Sequence, residues 1–174
     1  MCAQEAWWQL GLDKVLLMPA GEAPHRAVEP DPGPEERFEL CRLAAEGVDW
    51  LTVSRDEVDR PGPSYTADTL ERLRDGELFL ILGADQALQL ARWHEPERVL
   101  RAGTLAVVER GGVPIEEVRR AVSAVGDARV ETFSMPRIDI SSSEIRRRVA
   151  AGRPYRFLVP ERVADRIERV GLYR

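Results

Sequence analysis

Ser141-Ser142-Ser143, with Glu144 and Arg146 just behind, is the stretch whose residue types and spacing could do chemistry. Asp139-Ile140 reads as extended chain, the serines as a turn, and Glu144 to Ala151 as helix. Ser141 and Glu144 stand at capping-box spacing, which brings hydroxyls and free backbone N–H groups together at a helix N-terminus. Such a point favours an anion. Arg146, one turn further on, would add a fork of donors suited to phosphate oxygens. An ordinary capped surface helix accounts for the same residues.

A second set of residues lies at the ends of apolar runs. Leu78-Phe79-Leu80-Ile81-Leu82 is the most hydrophobic strand, and Gly83-Ala84-Asp85 follows it directly. Gly83 permits close backbone approach. Asp85 would sit at the carboxyl end of a strand, where open α/β sheets place ligands, or would merely cap the next helix. Trp93-His94 comes after that helix, and Trp93 reads as core or as a stacking platform. Pro24-His25-Arg26 is a cationic element after the first strand, and His25 has no second ligand at metal spacing.

The elements that must position these groups alternate. Strands are expected at Lys14–Met18, Trp50–Ser54, Leu78–Leu82, Thr104–Val108 and Arg129–Phe133. Helices are expected at Met1–Leu10, Glu35–Glu46, from Ser64 (as N-cap) through Leu70, after Gly83, and at Pro114–Val125, Ser141–Ala151 and Pro160–Val170. Gly11, Gly152 and Gly171 are placed to end helices. Pro160 suits a first helical position. The lack of alternation in Val15-Leu16-Leu17 predicts burial on both faces. The pattern is that of an α/β protein: a parallel sheet of about five strands with helices on both faces.

Bulk properties bound the rest. A chain of 174 residues, 44% hydrophobic and 32% charged, suits one soluble domain spanning 1–174. Its net charge of -5 argues against a nucleic-acid binder. From Arg137 to Arg156, six arginines face Asp139 and Glu144, a local balance of +4. That patch fits a small phosphorylated ligand better than a polymer, or is simply a solvated face. Cys2 and Cys41 lack metal or redox spacing, which points to a reducing cytoplasm. Neither a signal peptide nor a membrane-spanning apolar run is visible.

Together the motifs resemble the bacterial nicotinate-mononucleotide adenylyltransferases. The resemblance rests on Pro19-Ala20-Gly21, Pro24-His25, Pro63 to Leu70, Gly83-Ala84-Asp85 and Trp93-His94. It continues through Ile140 to Arg146, Phe157-Leu158-Val159-Pro160 and Gly171-Leu172-Tyr173. It implies a Rossmann-like nucleotidyltransferase fold and adenylyl transfer from ATP to nicotinate mononucleotide, with Mg²⁺ accompanying ATP. It also implies site roles. Ser142, Ser143 and Arg146 would hold the ATP phosphates; Thr66, Gly83, Asp85 and Trp93 the pyridine nucleotide; a backbone N–H near His94 the nicotinate carboxylate. Arg26 stands where the family usually has Lys, a planar fork in place of a point charge.

The family also has a first strand and a His-x-Gly-His element, which this sequence does not contain. The chain is therefore expected to start downstream of the enzyme's true beginning, and to have little or no adenylyl transfer by itself. A genuine truncation kept for binding or assembly is the alternative. Loss of a central strand would leave two unpaired strand edges. Two other functions stay open: a pantetheine-phosphate adenylyltransferase-like enzyme, and a non-catalytic nucleotide-binding module. A homo-oligomer is compatible with either.

Overall fold

In the computed structural model, which describes residues 1–24, 30–73, 76–109 and 112–174, all five expected strands form: β1 (Val15–Leu17), β2 (Leu51–Val53), β3 (Phe79–Gly83), β4 (Thr104–Glu109) and β5 (Val130–Ser134). Eight α-helices accompany them among the described residues: α1 (Cys2–Gln9), α2 (Pro34–Ala45), α3 (Thr66–Arg72), α4 (Ala84–Ala87), α5 (Pro96–Ala102), α6 (Ile115–Ser123), α7 (Ser142–Ala150) and α8 (Glu161–Val170). Among the described residues the strands pair as two sheets rather than the single one expected, ordered β1-β2 and β3-β4-β5. The chain correspondingly divides into a first unit (Met1–Val15 and Tyr65–Arg137) and a second (Leu16–Ser64 and Ile138–Arg174).

The first unit is built around β4. It pairs parallel with β3 (Phe79 opposite Thr104) and with β5 (Leu105 opposite Val130). Five of its six residues, Thr104 to Val108, are buried. Alternate side chains enter different clusters, as pleating requires. Leu105 and Val107 join Ala67, Leu82, Leu90, Val99 and Val118, whereas Ala106 and Val108 join Ala6 of α1 and Phe133. Both faces are covered, so the sequence of β4 shows no polar alternation. Gly103 is needed immediately before β4, because a Cβ there would lie 2.5 Å from the Leu78 carbonyl oxygen.

The second unit has a smaller apolar centre. Ile145, Val149, Val163 and Ile167 are buried between α7 and α8, with Leu40 and Leu43 of α2 packed alongside. Ion pairs supplement it, with Arg55 on Glu35 and Asp59, Arg166 on Glu36, and Arg162 on Glu46.

Several sequence expectations are corrected. Leu16 is 36% exposed, so β1 is not buried on both faces. Its short ladder covers less of the strand than a central position would. Ser64 does not cap α3; Tyr65 occupies that position without a side-chain cap. Instead Ser64 is buried and its Oγ accepts the Gly21 N–H at 3.1 Å. Pro160 precedes the first helical residue rather than being it. The helix after Gly83 is a single turn, followed by a 3₁₀ turn at Leu90–Arg92. α5 is an addition to the expected helices, although Pro96 at its start is a helix signal. Gly171 does end its helix in the left-handed conformation, φ 71°. No helix among the described residues is long and apolar enough to cross a membrane.

Candidate active site

The expected site residues fall into two groups, one in each unit. Arg26, like His25, lies outside the described residues.

In the second unit, α7 begins as expected. Ser141 is extended (φ −121°, ψ 154°), and its Oγ accepts the Glu144 N–H at 3.1 Å. The reciprocal half of the capping box is replaced by ion pairing. The Glu144 carboxylate lies 2.8 Å from Arg148 Nε and 2.5 Å from Arg147 Nη2. The Arg148 hydrogen bond holds the Glu144 carboxyl below the usual carboxylate range. Ser142 and Ser143 occupy the first turn with exposed side chains. Arg146 Nη2 donates to Ser143 Oγ at 3.1 Å, so guanidinium and hydroxyl already meet. First-turn amides have no partner within a helix. Together with two hydroxyls and a guanidinium they make a donor-rich surface suited to phosphate oxygens.

The loop after β1 is held from three sides within the same unit. Gly21 N–H donates to Ser64 Oγ, while Arg37 Nη2 donates to the Ala20 and Gly21 carbonyls at 2.8 and 2.7 Å. A Cβ on Gly21 would lie 2.1 Å from the Glu57 carbonyl oxygen. Arg37 also pairs with Asp31. Burial raises the Asp31 carboxyl, but the Arg37 and Gly33 hydrogen bonds outweigh it and leave it below its ordinary value.

In the first unit, the remaining residues border one apolar cluster. Ala67, Leu82, Ala84 and Leu90 belong to it, and Trp93 packs against it half-buried. These are the chain neighbours of Thr66, Gly83 and Asp85. Gly83 ends β3 with an extended backbone (φ −74°, ψ 152°) that any residue could adopt. Asp85 is exposed in the first turn of α4 rather than capping it, and accepts from Gln86 Nε2 at 3.3 Å. Trp93 is extended and its N–H donates to the Leu90 carbonyl at 2.9 Å. The indole is only half-buried there, so it both packs on the cluster and keeps part of its surface open. The His94 ring stacks on Tyr65 at 4.0 Å between centroids, 27° from parallel, which sets His94 beside the start of α3 and therefore near Thr66.

Sequence reasoning gave Ser64 a different role, that of a helix cap, and passed over Arg37 and Arg98. The Ser64–Gly21 bond and the Arg37 bonds to Ala20 and Gly21 carry no local signal, since their partners are distant in the chain. Glu95 and Arg98, three apart on either side of Pro96, do carry one. Among the described residues no group of three or more His, Cys, Asp or Glu side chains is arranged to hold a metal ion.

Known proteins match this arrangement. Residues 2–148 match the cytidylyltransferase-like family. The chain is 43% identical to a probable nicotinate-nucleotide adenylyltransferase of Roseiflexus sp. (strain RS-1), covering 99% of this chain and 88% of that protein. It is 43% identical to a protein of the same name in Thermus thermophilus, covering 100% and 90%. Among solved structures, the nicotinic acid mononucleotide adenylyltransferase of Plasmodium falciparum complexed with APC superposes with a TM-score of 0.75 at 14% identity, over 99% of this chain and 88% of that one. That likeness is one of fold. The five strands, the donor-rich start of α7 and the near full-length identity converge: the chain belongs to the nicotinate-nucleotide adenylyltransferases of the cytidylyltransferase-like family.

Proposed function

We propose that this chain serves adenylyl transfer from ATP to nicotinate mononucleotide. A phosphate oxygen of the mononucleotide attacks the α-phosphorus of ATP, the bond to the β-phosphate bridging oxygen breaks, and pyrophosphate leaves with nicotinate adenine dinucleotide formed. The observation that carries this reading is the identity of 43% over nearly the whole chain to relatives bearing that activity in their names. The site chemistry supports it. Phosphoryl-type transfer asks mainly for alignment of two anions and stabilisation of the charge that develops between them.

The roles follow the two groups. Ser142, Ser143 and Arg146 would hold ATP phosphates with the first-turn amides of α7. Thr66, Gly83, Asp85 and Trp93 would hold the pyridine nucleotide, with Trp93 against the ring and a backbone N–H by His94 meeting the carboxylate. Arg26 would add a cation to the same substrate. Mg²⁺ would arrive with ATP, coordinated chiefly by phosphates and water as this ion prefers. We propose further that both units belong to one nucleotidyltransferase domain, because the motifs run through both, and that it works in the cytoplasm on small phosphorylated partners.

Pyrophosphate release from ATP, nicotinate mononucleotide and Mg²⁺ tests the reading. It is run on this chain and on a form extended upstream to include a His-x-Gly-His element. Release that needs both substrates is the expected result. Preference for phosphopantetheine, or saturable nucleotide binding without turnover in either form, would overturn it. Trp93→Ala should raise KM for nicotinate mononucleotide about tenfold or more while leaving KM for ATP nearly unchanged.

A further inference from the structure

Glu95 is in the left-handed conformation, φ 48° and ψ 58°. For a residue other than glycine this is strained and persists only where the surroundings impose it. It follows Trp93-His94 directly, so whatever imposes it also sets the direction of those two residues. The restraint comes from Arg98 in α5. The Arg98 N–H donates to the Glu95 carbonyl at 3.0 Å, and its guanidinium pairs with the Glu95 carboxylate. The same guanidinium forks onto Glu71, Nε to Oε1 at 2.8 Å and Nη2 to Oε2 at 2.6 Å. It also reaches Asp68 Oδ1 at 3.1 Å.

One cation thus gathers three carboxylates, two of them from α3, the helix that opens at Thr66. A second tie runs in parallel. His94 stacks on Tyr65, and His94 Nε2 lies 3.0 Å from Glu95 Oε2. The guanidinium side chain is only 24% exposed, against 40–51% for its three partners, so it is the shielded hub of the cluster. A planar fork with five donors can satisfy three carboxylates at once; an ammonium cannot match that geometry. Removing the cation would leave three like charges together, with only the His94 tie and the main-chain hydrogen bond of residue 98 to restrain the strained turn.

We infer that Arg98 is a positioning residue for the pyridine-nucleotide pocket: it locks the Trp93-His94-Glu95 turn onto α3, keeping the turn in register with Thr66. This inference rests on the proposed roles of Thr66, Trp93 and His94. In this inference Arg98, whose guanidinium is engaged by Asp68, Glu71 and Glu95, acts through the turn.

The test uses the full chain and measures nicotinate mononucleotide and ATP affinities by calorimetry, together with the ring-proton shifts of His94. The chain has two histidines, so assignment is direct. Arg98→Gln should weaken nicotinate mononucleotide binding about tenfold with little change for ATP. It should also shift the His94 ring protons downfield as the Tyr65 ring current is lost. Glu71→Gln, a milder change, should move the same readouts in the same directions by a smaller factor, and it stands in if Arg98→Gln fails to fold. Trp93→Ala is the control. If it weakens binding and the clamp variants do not, the inference is overturned while the substrate reading stands. If the clamp variants lower both affinities alike and leave the His94 shifts in place, Arg98 is a general structural residue and the inference is again overturned. If neither Trp93→Ala nor the clamp variants affect binding, or the unaltered chain binds no nicotinate mononucleotide, the substrate reading itself is lost, and the His94 shifts still decide whether Arg98 holds the turn.

Discussion

The two units hold themselves together differently. In the first, a fully covered parallel strand, β4, sits between two others, and apolar side chains fill both faces of the sheet. Its ion pairs concentrate on a single hub, Arg98. In the second, two three-residue strands and a cluster of four buried residues are supplemented by many separate arginine–carboxylate pairs. Apolar burial is not weakened by charge screening or mild acid, whereas exposed ion pairs are weakened by both. The group proposed to bind the pyridine nucleotide therefore stands on the scaffold held mainly by apolar burial. The group proposed to bind phosphate stands on the one that ionic conditions can loosen.

The largest expected effect tests the core contrast directly. Leu105 is fully buried in β4. Leu105→Ala should cost about 2–5 kcal/mol by urea denaturation. Ile167→Ala in α8 should fall near the lower end of that range, since its cluster is smaller and edged by half-buried residues. Equal costs would break the comparison.

Gly21→Ala comes next. The added methyl meets a backbone oxygen rather than a flexible side chain, so the loop or the Glu57 segment must move. A loss of about 1–3 kcal/mol is expected, read as faster amide exchange in β1 and β2 with β3 to β5 unchanged. Ser141→Ala removes the hydroxyl that accepts the Glu144 N–H and should cost about 1 kcal/mol. Its readout is exchange of the first-turn amides of α7, together with weaker ATP binding if that turn holds phosphate.

The smallest effect is the most selective. Glu35, Glu39, Glu46 and Glu144 are held below the usual carboxylate range by hydrogen bonds from Arg55, Arg42, Arg162 and Arg148. All four carboxylates lie in the second unit. A depressed folded value adds stability above the unfolded value, near 4, and that contribution is lost as pH falls through the folded value. Amide protection in the second unit should thus decline before that of the first as pH drops below about 4. High salt at neutral pH should act in the same direction. A uniform loss across both units would show that the pairs contribute nothing specific.

Much of this was legible in the chain. Apolar runs bounded by Gly and Pro located all five strands to within a residue or two, because burial demands continuous hydrophobicity wherever both faces are covered. β4 is the clearest case. The Ser141 cap was legible because its donor lies three residues away. β1 misled for the converse reason. Val15-Leu16-Leu17 has the composition of a buried strand, but its second residue faces outward in a two-stranded ladder. Ser64 misled because a serine before a helix is usually a cap, whereas here its hydroxyl serves Gly21, 43 positions earlier.

By itself, then, the sequence determined the strands, most of the helices and their order, the Ser141 and Gly171 helix ends, and the residue types able to meet phosphate and a pyridine ring. These depend on periodicity, glycine and proline geometry, and hydrogen bonds closed within a few residues. Tertiary structure alone decided that the strands divide into two sheets, that Gly21 is wedged against Glu57, and that one guanidinium gathers Asp68, Glu71 and Glu95 behind the Trp93-His94 turn. Partners such as Arg98 and Glu71 are brought together from 27 positions apart, and no local pattern encodes a meeting that only folding creates.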